Sequence, residues 1–596
     1  MRRRNMDYTY DLSPLYEGFS SEKFLGDIEK AQNLLNQYGE FVSSELNDYD
    51  NFFDKLERLI EFDATITTLV RKIFAFISLT RAVDTGNEEA GKFQAKMSIM
   101  LSNATLTFTK AEKYIGKAPL LQEAINSDRF SEYKFYLSQI KNNTDHLLSD
   151  EQEVLISKLR QSGSSEWANL QSLLTSKVDV ELTIRGETKV ITASQLRGYQ
   201  ESSDPEERKA AFFGMLKSFE KIDDSVAAAL SGIKGEVNTI AALRGYESPL
   251  DEALDKSRIK RETLDAMIET MYEYLPHFHK YLRRKAKLLG YEGGLPQYDL
   301  IAPIGKVEKK FTIEEAREFV ISNFNTFSED LGNLAKKAFD NRWIDVYPRK
   351  GKRGGAFCSN IHPIKESRVM TNFNGNLGDV VTISHELGHA YHGEQIFKNN
   401  VLNASYPMPL AETASTFCET IVMNAVINNS EGEEKIALIE SMLQDQTAVI
   451  VDILSRFIFE SKVFETRLGH PVSSKECQAI MTEAIKTAYG DGLDHEHLNR
   501  YAWLNKPHYY SSGLSFYNWP YAFGLLFAKG LYAQYLKDKE NFVPRYDELL
   551  QATGSMLVED VALLAGIDVT KKDFWRDSLE LIKENIDLFL KLTDEM

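Results

Sequence analysis

Apolar residues recur at spacings of three and four along most of the chain, the period of helices that bury one face. Glu22–Leu46, Asp50–Thr80 and Glu88–Ile115 carry this pattern, and clusters of Asn, Asp and Ser separate them as helix-to-helix turns require. Ile73–Leu79 is the most apolar short run and reads as buried helix. The period changes at Lys177–Ala193. There Val178, Val180, Leu182 and Ile184 alternate with polar residues, Arg185-Gly186-Glu187 turns the chain, and Thr188–Thr192 returns as the second strand of a β-hairpin. Breakers cluster at Glu201–Glu207, with Pro205 placed to open a new helix. A boundary near residue 200 therefore divides an N-terminal helical domain, 1–200, from the remainder, 201–596. Helical spacing resumes to about residue 290, a Gly-rich section spans Gly290–Gly305, and Thr312–Phe339 reads as one further helix. Residues 340–376 are broken by Gly and Pro, and within them Ala356–Ile361 and Arg368–Asn374 read as short strands.

Composition supports this picture and narrows the class. With 43% hydrophobic and 27% charged residues among 596, the chain is globular and long enough to bury a large core. Only 34 glycines and 15 prolines interrupt it, which favours long helices over a sandwich of short strands. A net charge of −18 argues against nucleic acid and anionic membranes as partners. Three scattered cysteines, Cys358, Cys418 and Cys477, suit neither a disulfide framework nor a Cys-based metal site. The basic start is followed by Asp7, Asp11 and Glu17 rather than an apolar signal core, and no run is long enough to span a membrane. A cytoplasmic protein is expected.

The chemistry concentrates in Val380–His392, which contains His385-Glu386-Leu387-Gly388-His389. Histidines at i and i+4 lie one above the other on a helix face and can share one tetrahedral metal. Glu386, flanking the metal, is placed to take a proton from an activated water. Chance placement of 11 histidines and 88 acidic residues yields such a motif in roughly 3 of 100 chains of this kind. A catalytic zinc needs a third protein ligand. Glu394 follows His389 too closely. Glu412 and Glu419 both lie on a following helix whose start is marked by Pro407 and Pro409, and spacing alone leaves the ligand role open between them. His495-Glu496-His497 has the wrong spacing for one helix face, while His277, His279 and His392 read as structural or wall residues.

The chain resembles the thimet oligopeptidase and oligoendopeptidase F group of zinc metallopeptidases, closest to the oligoendopeptidase F branch. The resemblance runs from about residue 200 to 590. It is carried by Gln297–Leu300, Asp345–Lys352, Gly354–Cys358, Asn372-Phe373, the His385–His389 motif and Glu412-Thr413-Ala414-Ser415. It implies one zinc per chain held by His385, His389 and Glu412, with Glu419 in the outer shell and Glu386 as general base. The implied fold is mainly α: a large helical ellipsoid with a deep central substrate channel, a small β-hairpin, and a short β-sheet beside a zinc-binding helix pair. An edge strand, Ala356–Ile361 or Arg368–Asn374, would pair with the substrate backbone, bringing Gly355, Ala356 and Phe357 to the peptide. In Lys506–Tyr521, His508, Tyr517 and Tyr521 match the residues that stabilise the oxyanion, and Tyr510 is a further substrate contact. The implied activity is endopeptidase cleavage of short oligopeptides, not folded proteins, by a monomer or small homo-oligomer. The alternative is a catalytically inactive peptide-binding or chaperone-like protein with a structural metal.

Overall fold

A computed structural model describes residues 8–305 and 309–594. The basic residues Arg2-Arg3-Arg4, read above for targeting, lie outside them. The chain is overwhelmingly helical, and the strands among the described residues form two small sheets. In the first, β1 (Asp179–Ile184) pairs antiparallel with β2 (Glu187–Thr192), the expected hairpin. In the second, β3 (Ile344–Asp345), β4 (Phe357–Ile361) and β5 (Glu366–Met370) lie in the order β3-β5-β4. The second sheet strand thus begins and ends earlier than Arg368–Asn374. Beyond its end, Thr371 still donates its backbone N–H to the Asp345 carbonyl of the parallel neighbour β3.

The chain folds into two compact units, each assembled from three stretches. The first comprises Met1–Leu147, Glu308–Val426 and Gln534–Ile567. Its core is built on α1 (Glu22–Glu45), α2 (Phe52–Val83) and α3 (Glu88–Gly116), which contribute Phe24, Phe76 and Phe93 to an aromatic cluster completed by Tyr16 and Phe19 of the preceding segment. Ile361 and Met370 join the same core from β4 and β5. The helix expected over Thr312–Phe339 is two helices, Ile313–Phe324 and Glu329–Asp340. The apolar spacing continues across the join, but Ser328 accepts from the Leu331 N–H at 3.1 Å and starts a new helix.

The second unit comprises Leu148–Val307, Ile427–Ala533 and Asp568–Met596. Its interior holds fully buried ion pairs: Lys234–Glu460 at 2.7 Å, Lys285–Glu440 at 2.6 Å and Arg208–Asp299 at 2.7 Å. Each carboxylate has further donors. Glu440 also accepts from Tyr281 Oη at 2.9 Å and Gln444 Nε2 at 2.6 Å, which offsets the cost of taking charges out of water. Lys285→Met leaves that carboxylate buried without its cation. The expected loss is about 3–5 kcal/mol of unfolding free energy, measurable by denaturant titration of the full chain. A loss under about 1 kcal/mol would mean that the pair is not desolvated as drawn. No helix among the described residues is long and apolar enough to cross a membrane.

Candidate metal centre

The motif helix, Leu377–Ile396, starts at a reciprocal cap. Asn376 Oδ1 accepts from the Asp379 N–H at 2.9 Å, and Asp379 Oδ2 accepts from the Asn376 N–H at 3.2 Å. Val380, Ile383, Leu387, Ala390 and Tyr391 are buried, so the helix is held on several sides and its histidines are fixed in direction. The following polypeptide forms a short helix, Met408–Ala411, and a longer one, Thr413–Asn428, with Glu412 at the break between them.

Gly388 lets the two long helices meet backbone to backbone. A Cβ at this position would lie 2.5 Å from the Ala414 carbonyl oxygen and 2.6 Å from Ser415 Cα. Gly388→Ala must therefore push Glu412 away from the histidines. We expect a loss of about 1–3 kcal/mol of stability together with weaker metal retention, followed by thermal melting and elemental analysis. Unchanged metal content in a folded variant would show that this contact does not set the site.

The donor atoms converge. His385 Nε2 and His389 Nε2 are 3.1 Å apart, and Glu412 Oε2 lies 3.3 Å from the first and 3.4 Å from the second. Four donors placed tetrahedrally at about 2.0–2.1 Å from a zinc ion stand about 3.3 Å from one another, so this triangle fits three of them. Two imidazole lone pairs and a carboxylate aimed at one point repel unless a cation lies among them. The three residues form the one group of its kind among the described residues.

Hydrogen bonds from the surroundings orient the three side chains. Glu419 Oε1 lies 2.8 Å from His385 Nδ1 and accepts its proton, so Nε2 is the nitrogen turned toward His389 and Glu412. The Ala411 backbone carbonyl accepts from the His389 ring. Ser415 Oγ donates to Glu412 Oε2 at 2.7 Å. Burial opposes charge on both rings, but the Glu419 carboxylate outweighs it at His385, raising that pKa to about 9, while His389 is lowered to about 4. Glu394, set aside on spacing, is engaged by Lys337 Nζ at 3.0 Å.

Glu386 is 5% exposed. Burial, reinforced by the Glu412 and Glu419 charges and opposed by His385, raises its pKa to about 7. It accepts the backbone N–H of Cys358 on β4, and its Oε2 has no protein partner. Gly355 and Ala356 form the loop entering β4, and Asn372 Nδ2 donates to the Gly355 carbonyl at 2.8 Å. Because β5 lies between β3 and β4, the expected strand at Arg368–Asn374 is central, whereas β4, starting at Phe357, is one of the two strands with an edge that no neighbouring strand covers.

His508, Tyr517 and Tyr521 belong to the second unit, and the structure brings them together there. His508 lies 5.6 Å from the Tyr517 ring in a stacked pair and 6.1 Å from Tyr521. Burial lowers the His508 pKa, and its Nδ1 is buried without a protein partner. Phe516 precedes Tyr517 with φ of 56°, an unfavourable left-handed conformation for this residue, and its N–H is held at 3.1 Å by Glu460 of the buried pair. Tyr510 is in the core, and its hydroxyl donates to the Trp503 carbonyl at 3.3 Å, so it is directed to the backbone of its own unit. His392 is fully buried, stacked on Tyr406 at 4.1 Å, with Nε2 2.8 Å from Thr553 Oγ1. His497 pairs with Asp494, and His279 Nε2 lies 2.9 Å from the Ala488 carbonyl, both away from any metal group. Residue chemistry did not flag Ser415, the Ala411 carbonyl or the Cys358 N–H. A serine three residues after Glu412 at a helix start is the one available signal, since backbone groups carry none.

Comparison with known proteins places these observations in a family. Residues 198–581 match the model of Peptidase family M3, and residues 118–179 match that of Oligopeptidase F. Oligopeptidase PepF of Bacillus subtilis (strain 168) is 26% identical over 592 residues, covering 97% of this chain and 85% of its own length. Oligoendopeptidase F (chromosomal) of Lactococcus lactis subsp. cremoris is 24% identical over 606 residues, covering 98% of this chain and 97% of its own. The crystal structure of oligoendopeptidase-F from Enterococcus faecium superposes with a TM-score of 0.72 at 20% identity, covering 96% of this chain and 100% of that one. A family match that spans well over half of the sequence, with the motif helix inside it, decides the matter: the chain belongs to peptidase family M3, on the oligoendopeptidase F branch.

Proposed function

We propose that this metalloendopeptidase uses one zinc ion, held by His385, His389 and Glu412, to hydrolyse internal peptide bonds of short oligopeptides, with Glu386 as the general base. The observation that carries the reading is the convergence of three donor atoms at 3.1–3.4 Å beside a buried carboxylate with one unpartnered oxygen. The group has three protein donors rather than the four of a structural zinc site, which favours catalysis over the inactive binding protein.

When bound, the zinc supplies Lewis acidity, which acidifies a water and polarises the scissile carbonyl. Glu386 accepts the proton of the attacking water at Oε2. The Cys358 N–H steadies the carboxylate while it does so, and burial keeps the affinity for that proton high. The same carboxyl then returns the proton to the leaving amine. Glu419 and the Ala411 carbonyl hold the two imidazoles in the tautomer that presents Nε2. His508, Tyr517 and Tyr521 are the proposed donors to the carbonyl oxygen as negative charge develops there. The uncovered edge of β4 pairs with the peptide backbone, which selects extended chains and makes little demand on side chains.

The test is mass spectrometry of a mixed peptide pool incubated with the enzyme, with and without a chelator and zinc restoration, beside a folded protein of similar composition. Chelator-sensitive internal cleavage of the peptides and an intact folded protein are expected. Cleavage that survives the chelator, or rapid digestion of the folded protein, overturns the reading.

A further inference from the structure

Two elements must be held in register for a backbone-pairing peptidase to work. The strand that binds the peptide sets which peptide bond is presented, and the motif helix sets where the metal donors and base stand. In this chain one side chain ties them together. Asn360, on β4, donates from Nδ2 to the backbone carbonyl of the ligand His389 at 3.0 Å. Its Oδ1 accepts from Ser367 Oγ on β5 at 2.7 Å and from Cys358 Sγ at 3.4 Å. The Tyr406 hydroxyl bonds the same amide. An amide has two donors and two acceptor positions, and all four are engaged.

The helix is shaped to receive it. Gly393 lies one turn beyond His389, and a Cβ there would sit 2.5 Å from both Cγ and Oδ1 of Asn360. Tyr406 in turn stacks on the fully buried His392, one turn from His389, so the half-buried amide is packed against the motif helix on this side. Two residues earlier on the same strand, the Cys358 N–H reaches Glu386. β4 is therefore fastened to the motif helix at two points, once on the base and once on the main chain of a metal ligand.

We propose that Asn360 is a positioning residue that sets the register between the substrate-pairing strand and the metal-holding helix, and so determines which peptide bond is cut. The inference rests on the reading of β4 as the strand that pairs with the peptide. Asn360 touches neither metal nor substrate; it acts through His389 and β4. Losing its donor loosens the strand by a fraction of its repeat, so the peptide still binds but its scissile bond sits off the line between base and metal. A misplacement of about 1 Å costs up to about 100-fold in rate.

Asn360→Asp keeps size and the acceptor for Ser367 but sets an oxygen against the His389 carbonyl. Gly393→Ala attacks the same contact from the helix side while favouring the helix itself, so it serves if the first variant folds poorly. Both are compared with the parent on one defined peptide and on its analogues N-methylated at alternate backbone positions. The readouts are product masses, kcat and KM, zinc content and thermal midpoint. With zinc retained, the expected result is a fall in kcat of about 10- to 100-fold, little change in KM, and products displaced to neighbouring bonds. Parental cleavage sites and kcat in folded, zinc-loaded variants overturn the proposal while leaving strand pairing intact. If N-methylation at no position affects the parent enzyme, pairing at β4 itself is wrong and the proposal falls with it. A loss of zinc alone, with unaltered sites after zinc is restored, assigns Asn360 to metal retention and likewise overturns it.

Discussion

Glu386→Gln is expected to bind zinc as the parent does and to lose about 10²–10⁴-fold in kcat on a quenched fluorescent peptide. The substitution is nearly isosteric, and Gln can still accept the Cys358 N–H that the carboxylate accepts now. What disappears is the ability to take a proton. Glu386 is buried with one oxygen unpartnered, so no water-exposed carboxylate on the same helix can replace it; Glu394 is already paired with Lys337. KM should change far less than kcat, because the side chain is not proposed to contribute to peptide binding. Turnover within tenfold of the parent would remove Glu386 from the mechanism and return weight to other bases.

The second large effect is on the metal itself. Glu412→Ala removes one vertex of the donor triangle and leaves two imidazoles 3.1 Å apart, with Ser415 Oγ keeping only the backbone carbonyl of residue 412 as acceptor. Zinc should dialyse away and activity should vanish with it. Glu419→Gln is the informative comparison. It keeps a hydrogen bond to His385 but removes the charge that fixes the ring's protonation, and the expected cost is about 10–100-fold in zinc affinity rather than its loss. Competition against a chromophoric chelator measures both. Weaker zinc binding by Glu419→Gln than by Glu412→Ala would mean that Glu412 and Glu419 have been assigned the wrong way round.

The motif could be read from sequence because helix geometry converts i, i+4 into a shared face, and nothing tertiary is needed to see it. The third donor needed more. Spacing left Glu412 and Glu419 open; what it could not show is that Glu412 Oε2 lies 3.3 and 3.4 Å from Nε2 of the two rings while Glu419 lies against Nδ1 of His385. Strand period could find the two halves of the sheet but not their order, since alternation says which face a residue takes and nothing about which neighbour lies beside it. That β4 lies at an edge of the sheet while β5 lies inside it therefore came only from topology. The single helix drawn over Thr312–Phe339 failed for a similar reason: apolar spacing continued while Asn325 and Ser328 ended one helix and began another. Tyr510 looked like a contact because it stands among His508, Tyr509 and Ser511, yet its ring is packed and its hydroxyl directed to Trp503. Side-chain identity cannot report which of several neighbouring aromatics faces inward.

The interleaving of the two units has a consequence for how the protein is made. The motif helix is backed by late sequence: Tyr391 bonds Asp547, and His392 bonds Thr553, both in the Gln534–Ile567 stretch that completes the first unit. During synthesis, residues 385–412 leave the ribosome long before that stretch exists, and the second unit waits for Asp568–Met596. Each unit therefore closes only when a later stretch arrives, and the nascent chain carries half-covered helical faces until residues of Gln534–Ile567 and then of Asp568–Met596 have been made.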